Sequence, residues 1–259
     1  MTQLKKKILT VRTPSGLSGD MLLCGLLRMA EVDDQWLNTL IDQTGIPELN
    51  GSITIKAASV NGISGWRVQT SFPPQPGKCH YGLIKKRIAE SALRPVAKGC
   101  AEAAFARLAE AEAAVHAIPI SEVTFHEVGA LDSLLDICLS AALFENIAPA
   151  RFVCSPLPLC DGIIDCRHGS LSSPAPAVLN LLKGVPVYGV DSNGETVTPT
   201  AVTLLKAFGA VFGPWPEMVI DAVAHVYGGR VLPNIPNGAI FALGTAPFKS
   251  SSTDVEKQD

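Results

Sequence analysis

The chain predicts a mixed α/β (α+β) fold: a single large domain with a mixed sheet, flanking helices and a small β-hairpin excursion at about 50–75. Three observations carry this. Short β-branched runs, at 8–11 and 152–155, alternate along the chain with longer stretches of helical period. Asn61-Gly62 separates two alternating runs, 52–60 and 64–72, and reads as a tight hairpin. The composition is core-rich, 47% hydrophobic against 17% charged. A chain of 259 residues can bury on the order of 70–75% of its unfolded surface.

The elements follow in order. Residues 8–11 are strand. Pro14-Ser15-Gly16-Leu17-Ser18-Gly19-Asp20 is a turn, with Ser18 placed to cap a helix over 21–29. A glycine- and serine-rich turn opening a helix presents unpaired N–H groups, an anion-binding geometry. It lacks the Gly-Lys-Ser/Thr ending of a P-loop, and an ordinary capped turn explains the same residues. Helices follow at 36–43, 83–91 and 96–115. In the last, Val96, Cys100, Ala104, Leu108, Ala111 and Val115 recur at three- and four-residue spacing. His116 closes it, at the end where the helix dipole favours a cation. Residues 72–77, Phe-Pro-Pro-Gln-Pro-Gly, break all periodicity.

Further on, strands are expected at 122–125, 152–155, 186–189, 219–223 and 239–243. Helices are expected at 130–145, 174–183 (prolines in its first turn) and 201–208. Residues 156–162 read as a proline-rich loop. The domain spans 1–247, and 248–259 is a polar tail expected to be disordered.

The densest chemistry lies in Thr-Phe-His-Glu-Val-Gly-Ala-Leu-Asp-Ser-Leu-Leu-Asp, residues 124–136. His126 and Glu127 are adjacent. Asp132 and Asp136 are four apart and stack on one face of a helix. The same helix carries Leu131, Leu134, Leu135, Ile137 and Leu139, so its acids are headed for burial and need a partner. A metal or an arginine would serve. A first-turn acid at Asp132 and a hydrogen-bonded core histidine at His126 remain open as the structural alternative.

Seven cysteines, an odd number without a C-x-x-C pair, do not form a disulfide framework. Cys154, Cys160 and Cys166 are six apart, with His168 beyond. Soft ligands of this kind suit nickel, copper or zinc, yet the spacing matches no standard zinc pattern. His168-Gly169 at a loop start is the better candidate. The net charge of −3 gives no electrostatic case for nucleic acid. No apolar run of about 18 residues predicts a membrane span. Arg12 cuts short the apolar run after Lys5-Lys6-Lys7, so no signal peptide is expected and the chain reads as cytoplasmic.

Four motifs together resemble the LarC family of nickel-pincer cofactor biosynthesis. They are Ser15-Gly16-Leu17-Ser18-Gly19-Asp20-Met21; Phe125-His126-Glu127-Val128-Gly129-Ala130-Leu131-Asp132-Ser133 with Asp136; Ser155-Pro156-Leu157-Pro158-Leu159 with His168-Gly169 and Pro174-Ala175-Pro176-Ala177; and Lys183-Gly184-Val185-Pro186-Val187-Tyr188 with Glu195 and Thr198-Pro199-Thr200. The resemblance covers roughly residues 8–245. It implies a nickel-inserting cyclometallase, a lyase, that uses CTP and a divalent ion such as manganese or magnesium. The substrate would be a pyridinium-3,5-bisthiocarboxylic acid mononucleotide.

The implied metal and acid–base group is His126, Glu127, Asp132 and Asp136, with His168 as second ligand or proton acceptor. Gly16, Ser18, Gly19, Asp20, Thr198 and Thr200 would meet the phosphate or its metal. Three departures stand out. The family's histidine-rich segment is reduced to Cys79 and His80. Arg12 and Ala201 replace an acid and a glycine. The region associated with CTP is absent from this sequence, so a separate C-terminal chain is the expected partner. The alternative is a non-catalytic nickel or cofactor carrier. The stretches around Asp20, His126 and His168 are expected to converge on one pocket, with His126, Asp132 and His168 within about 10–12 Å, a span that a metal and small nucleotide bridge.

Overall fold

Ile8, Leu9, Thr10 and Val11 are all buried, because the strand they form lies in the middle of a sheet covered on both sides there. The structure is a computed structural model and describes residues 6–72, 79–125, 131–166 and 169–247, with the backbone alone at 165 and 166. In chain order, its first half contains β1 (Lys7–Arg12), α1 (Gly19–Ala30), α2 (Asp34–Gln43), β2 (Ile53–Val60), β3 (Ile63–Thr70), β4 (Cys79–His80), α3 (Tyr81–Glu90), α4 (Pro95–His116), β5 (Thr124–Phe125) and α5 (Leu131–Ile147). The second half contains β6 (Arg151–Cys154), β7 (Leu157–Leu159), β8 (Ile163–Cys166), β9 (Gly169–Ser172), α6 (Pro176–Leu181), β10 (Val187–Gly189), α7 (Pro199–Ala207), β11 (Val211–Phe212), β12 (Val219–Val226) and β13 (Ala239–Thr245).

The fold is mixed α/β. Seven strands form one sheet in the order β11-β6-β1-β13-β12-β3-β2. β6 is parallel to β1 and to β11, β13 is antiparallel to β1 and β12, and β3 is parallel to β12. The C-terminal ends of β1, β6 and β12 therefore open on one edge, the edge where open α/β sheets place their ligands.

The hairpin forms as Asn61-Gly62 predicts. Both residues have positive φ, 52° and 78°, which the right-handed strand twist favours in a two-residue turn. Trp66 pairs with Val226, so the hairpin supplies the last two strands of the main sheet.

α1 lies on β3, β12 and β13 and packs sideways against α5. α5 is buried around most of its circumference, since α1 and α4 flank it. α4 also supports α3, α6 and α7. Phe144 stacks on Phe208 with ring centroids 4.2 Å apart, and Phe152 meets Phe144 edge-on at 5.4 Å. These rings tie α5 to β6 and to the end of α7.

Some expectations change. Residues 157–159, expected as loop, form β7, paired parallel to β10. The pair is two-stranded, so Pro158 finds a place without breaking a central ladder. The β8–β9 hairpin, Ile163 paired with Ser172 through Cys166 with Gly169, forms without a period-2 signal in its sequence. The unpatterned 73–78 and the tail from 248 lie outside the described residues. Among the described residues no helix is long and apolar enough to cross a membrane.

Candidate functional site at the junction of α1 and α5

The turn after β1 is held by backbone geometry. Gly16 has φ +100°, and a Cβ there would lie 1.7 Å from Thr196 O. Only glycine permits that approach. Leu17 N donates to Thr196 O at 2.9 Å, and Thr198 N donates to Leu17 O at 3.2 Å. The turn is thereby zipped to the segment that opens α7, whose N-cap Thr198 accepts from Ala201 N at 3.3 Å.

These bonds redistribute the expected anion site. Gly16 N donates to Thr13 O and Leu17 N to Thr196 O, so neither amide is free to meet a ligand. Gly16 serves close packing instead. Ser18 holds the N-cap position of α1, but its side chain makes no cap bond. Its hydroxyl donates to the Asp20 carboxylate, since a charged acceptor out-competes a backbone amide.

Behind the turn three carboxylates gather. Gly19 is buried, and a Cβ there would stand 2.4 Å from Asp136 Oδ2 and 2.7 Å from Thr200 Cγ2. The missing side chain lets α1 and α7 close on the acid of α5. Burial pushes the Asp136 carboxyl well above the usual carboxylate range, and Asp20 and Asp132 push it further. Asp132 is also raised, first by burial and more weakly by Asp20; its Oδ1 accepts from Ser133 N at 2.7 Å, which offsets part of the rise. Among the described residues, no cation offsets the charge of Asp132 or Asp136.

In front of the turn lies a cleft of about 240 Å³, lined among others by Ser15, Ser18, Asp20, Glu195, Thr198 and Arg230. Asp20 faces both this cleft and the buried acids.

The structure thus brings together Gly16, Ser18, Gly19, Asp20, Thr198 and Thr200 with Asp132 and Asp136, across segments far apart in sequence. Ser18, Asp20 and Thr198 line the cleft, while Thr200 is buried behind it. His126, Glu127 and His168 lie outside the described residues, as does the expected spacing of His126, Asp132 and His168. Among the described residues no three His, Cys, Asp or Glu side chains close into a group ready to hold a metal ion.

Cys154 is buried and its thiol is pushed up to about 12 by burial. Cys160 points its sulfur at Gly194 O, 3.0 Å away. Neither behaves as an exposed thiolate ligand. His80 caps α3 by accepting from Gly82 N at 3.1 Å. The loop from Gly228 to Gly238, for which the sequence suggests no site, forms the far wall of the cleft. Gly228-Gly229-Arg230, directly after a strand, was the available signal.

An α/β protein with a cleft at the C-terminal strand edge, backed by a buried acidic junction, is the class these observations define. The family model for nickel insertion proteins matches residues 9–258, and the chain belongs to that family. It is similar to relatives named for nickel insertion. One, from Geobacter metallireducens, is 36% identical over 240 residues, 93% of this chain and 61% of the relative. One from Geobacter sulfurreducens is 37% identical over 231 residues, 89% of this chain and 59% of the relative. One from Syntrophobacter fumaroxidans is 38% identical over 233 residues, 90% and 59%. The chain spans about three-fifths of the length of these relatives. No solved structure matches it.

Proposed function

We propose that residues 1–247 act as one unit that presents nickel to a pyridinium-3,5-bisthiocarboxylic acid mononucleotide, with CTP handled by a separate C-terminal part. The observation that carries the reading is the acidic junction. Asp20 comes from the start of α1 and Asp132 and Asp136 from the first turns of α5, and burial raises the carboxyls of Asp132 and Asp136, a cost that a cation would relieve. His126 and Glu127 stand five and four residues before the start of α5 in sequence and would complete the donor set. Nickel is substrate here. Forming a carbon–nickel bond at the ring breaks a C–H bond, and the released proton needs an acceptor, a role suited to the imidazole of His126 or His168. Carboxylate oxygens are also the donors that manganese or magnesium takes, and Asp20 would hold such an ion at the cleft.

A second reading, a non-catalytic carrier, draws support from the missing histidine tract and from His80, whose ring is committed to capping α3.

Titration calorimetry tests the first reading. Nickel(II) is expected to bind, and His126→Ala to weaken it ~10-fold or more with the fold intact. Manganese with CTP is expected to give no saturable heat at micromolar concentration with this chain alone. Adding a separately expressed C-terminal part from a relative, with CTP, nickel and the mononucleotide, is expected to yield the nickel adduct by mass spectrometry. Nickel bound and carried with no adduct formed would favour the carrier. No nickel affinity at all would sink both.

A further inference from the structure

α4, α6 and α7 pack on one another and leave a cavity of about 280 Å³ at their junction, lined among others by Arg107, Glu110, Asn180, Lys183 and Lys206. Ala111 and Leu181, also in the lining, are buried and give it an apolar floor. Lys183 opens the stretch Lys183-Gly184-Val185-Pro186, which the cleft at the other end of α7 leaves unused.

The cations here are set by backbone, not by carboxylates. Gly184 turns the chain after α6 at φ +79°, and Val185 N donates to Leu182 O at 2.8 Å, so the Lys183 carbonyl between them is fixed. Lys206 Nζ, from the last turn of α7, donates to that carbonyl at 2.9 Å. Arg107 Nη1 donates to Ala103 O at 3.0 Å, one turn back on α4. An ammonium has three donors and a guanidinium five, so both side chains keep donors for a ligand. Among the described residues none of the three cations enters an ion pair, although the chain holds 24 acids against 21 lysines and arginines. Burial lowers the Lys206 pKa, and Arg107 lowers it further. Glu110 is the one acid in the lining among the described residues, so three cations face one carboxylate. Like charges gathered in a partly dry cavity disfavour one another, and a bound anion reverses that repulsion.

We propose that this cavity binds a small polyvalent oxyanion, a metabolite bearing phosphate or carboxylate groups. Arg107 offers it a forked pair of donors, Lys183 and Lys206 offer point charges, and the Asn180 amide offers a neutral donor. The cavity lies near the lower end of the range for small-molecule pockets, roughly 300–1,000 Å³, which suits a compact ion better than a protein segment. The site is separate from the cleft. Thr198 caps the end of α7 that meets the cleft, and Lys206 lies roughly 12 Å further along the helix at 1.5 Å per residue. The proposal therefore stands apart from the nickel reading.

Titration calorimetry of the full chain with inorganic phosphate, and separately with citrate, tests it at low ionic strength, where such pairs are least screened. A saturable isotherm is expected, and the tighter of the two probes identifies the group that the site reads. Lys183→Gln and Lys206→Met are each expected to weaken the binding ~10-fold or more, as for losing one charge-assisted contact. Lys56→Gln removes the same charge from the exposed face of the β2–β3 hairpin and is expected to bind within about 2-fold of wild type. Lys183 is exposed, so its variant is expected to fold as wild type and carries the test if Lys206→Met does not fold. Binding of neither probe by wild type, unchanged affinity in Lys183→Gln, or an equal loss in Lys56→Gln each overturns the site.

Discussion

Asp136 and Asp20 lie on the two sides of Gly19 and meet opposite solvents. Asp136 is buried among apolar α5 residues, and its carboxyl is pushed toward the neutral form. Asp20 lines an open cleft, accepts a hydroxyl from Ser18 and shares the lining with Arg230. The buried side stores an electrostatic cost that a cation would relieve. The open side lies in solvent, where a charge costs the fold little. The difference teaches that neighbouring carboxylates on one junction meet different physics, and under the proposed function the back would hold a cation while the front would meet the ligand.

The largest expected effect breaks the wall between the two sides. Gly16→Ala would need a Cβ 1.7 Å from Thr196 O at φ +100°. It is expected to cost about 3 kcal/mol or more, through backbone strain and overpacking, and to abolish ligand and nickel binding together. Chemical denaturation measures it; a loss under about 1 kcal/mol would show that the turn relaxes freely. Gly19→Ala is expected to cost about 1–3 kcal/mol by overpacking against Asp136 and Thr200.

The next prediction sharpens the buried side. A carboxyl whose pKa is raised in the folded state adds stability at low pH that is lost as pH rises from its ordinary value through the raised one. Wild-type stability should therefore fall with pH from the ordinary carboxylate range upward. Asp136→Asn should flatten that slope and raise stability at pH 7, where the buried carboxylate is most costly. It should also erase most of the nickel-dependent rise in melting temperature expected of a ligand that binds only the folded state. A variant less stable than wild type at pH 7 would mean that Asp136 has a partner which stabilises its charge.

Asp132→Asn should act in the same direction by less, because Ser133 N already stabilises the carboxylate. Thermal melts across pH would rank the two, and a larger effect at Asp132 would reverse the assignment of the deeper charge. The smallest effect belongs to the open side. Ser18→Ala removes only the hydroxyl that holds Asp20, with an expected change of about 0.5–1 kcal/mol and a modest loss of nickel affinity. A change above about 2 kcal/mol would mean that the hydroxyl caps or supports more than Asp20.

Legibility tracked how local each cause was. Asn61-Gly62 names its own turn, and the spacing of Ala104, Leu108 and Ala111 sets the inner face of α4. The four-residue spacing of Asp132 and Asp136 put them on one helix face, and their burial followed from the leucines around them. β7 was missed because Leu-Pro-Leu carries no strand signal until β10 arrives beside it. The sequence neighbours of Ser18 mark it as a cap, but the carboxylate two residues on takes its hydroxyl.

By itself, the sequence determined the α/β alternation, the hairpin, the buried acids and the family, since period, turn chemistry and residue motifs are written in consecutive residues. Only the tertiary structure decided that Thr196 would occupy the space Gly16 leaves, that Asp136 would sit behind Gly19, and that Arg230 would face Asp20 across a cleft. Those contacts join residues between 117 and 210 positions apart. They exist because β1 and β12 run parallel and release their loops at the same edge of the sheet.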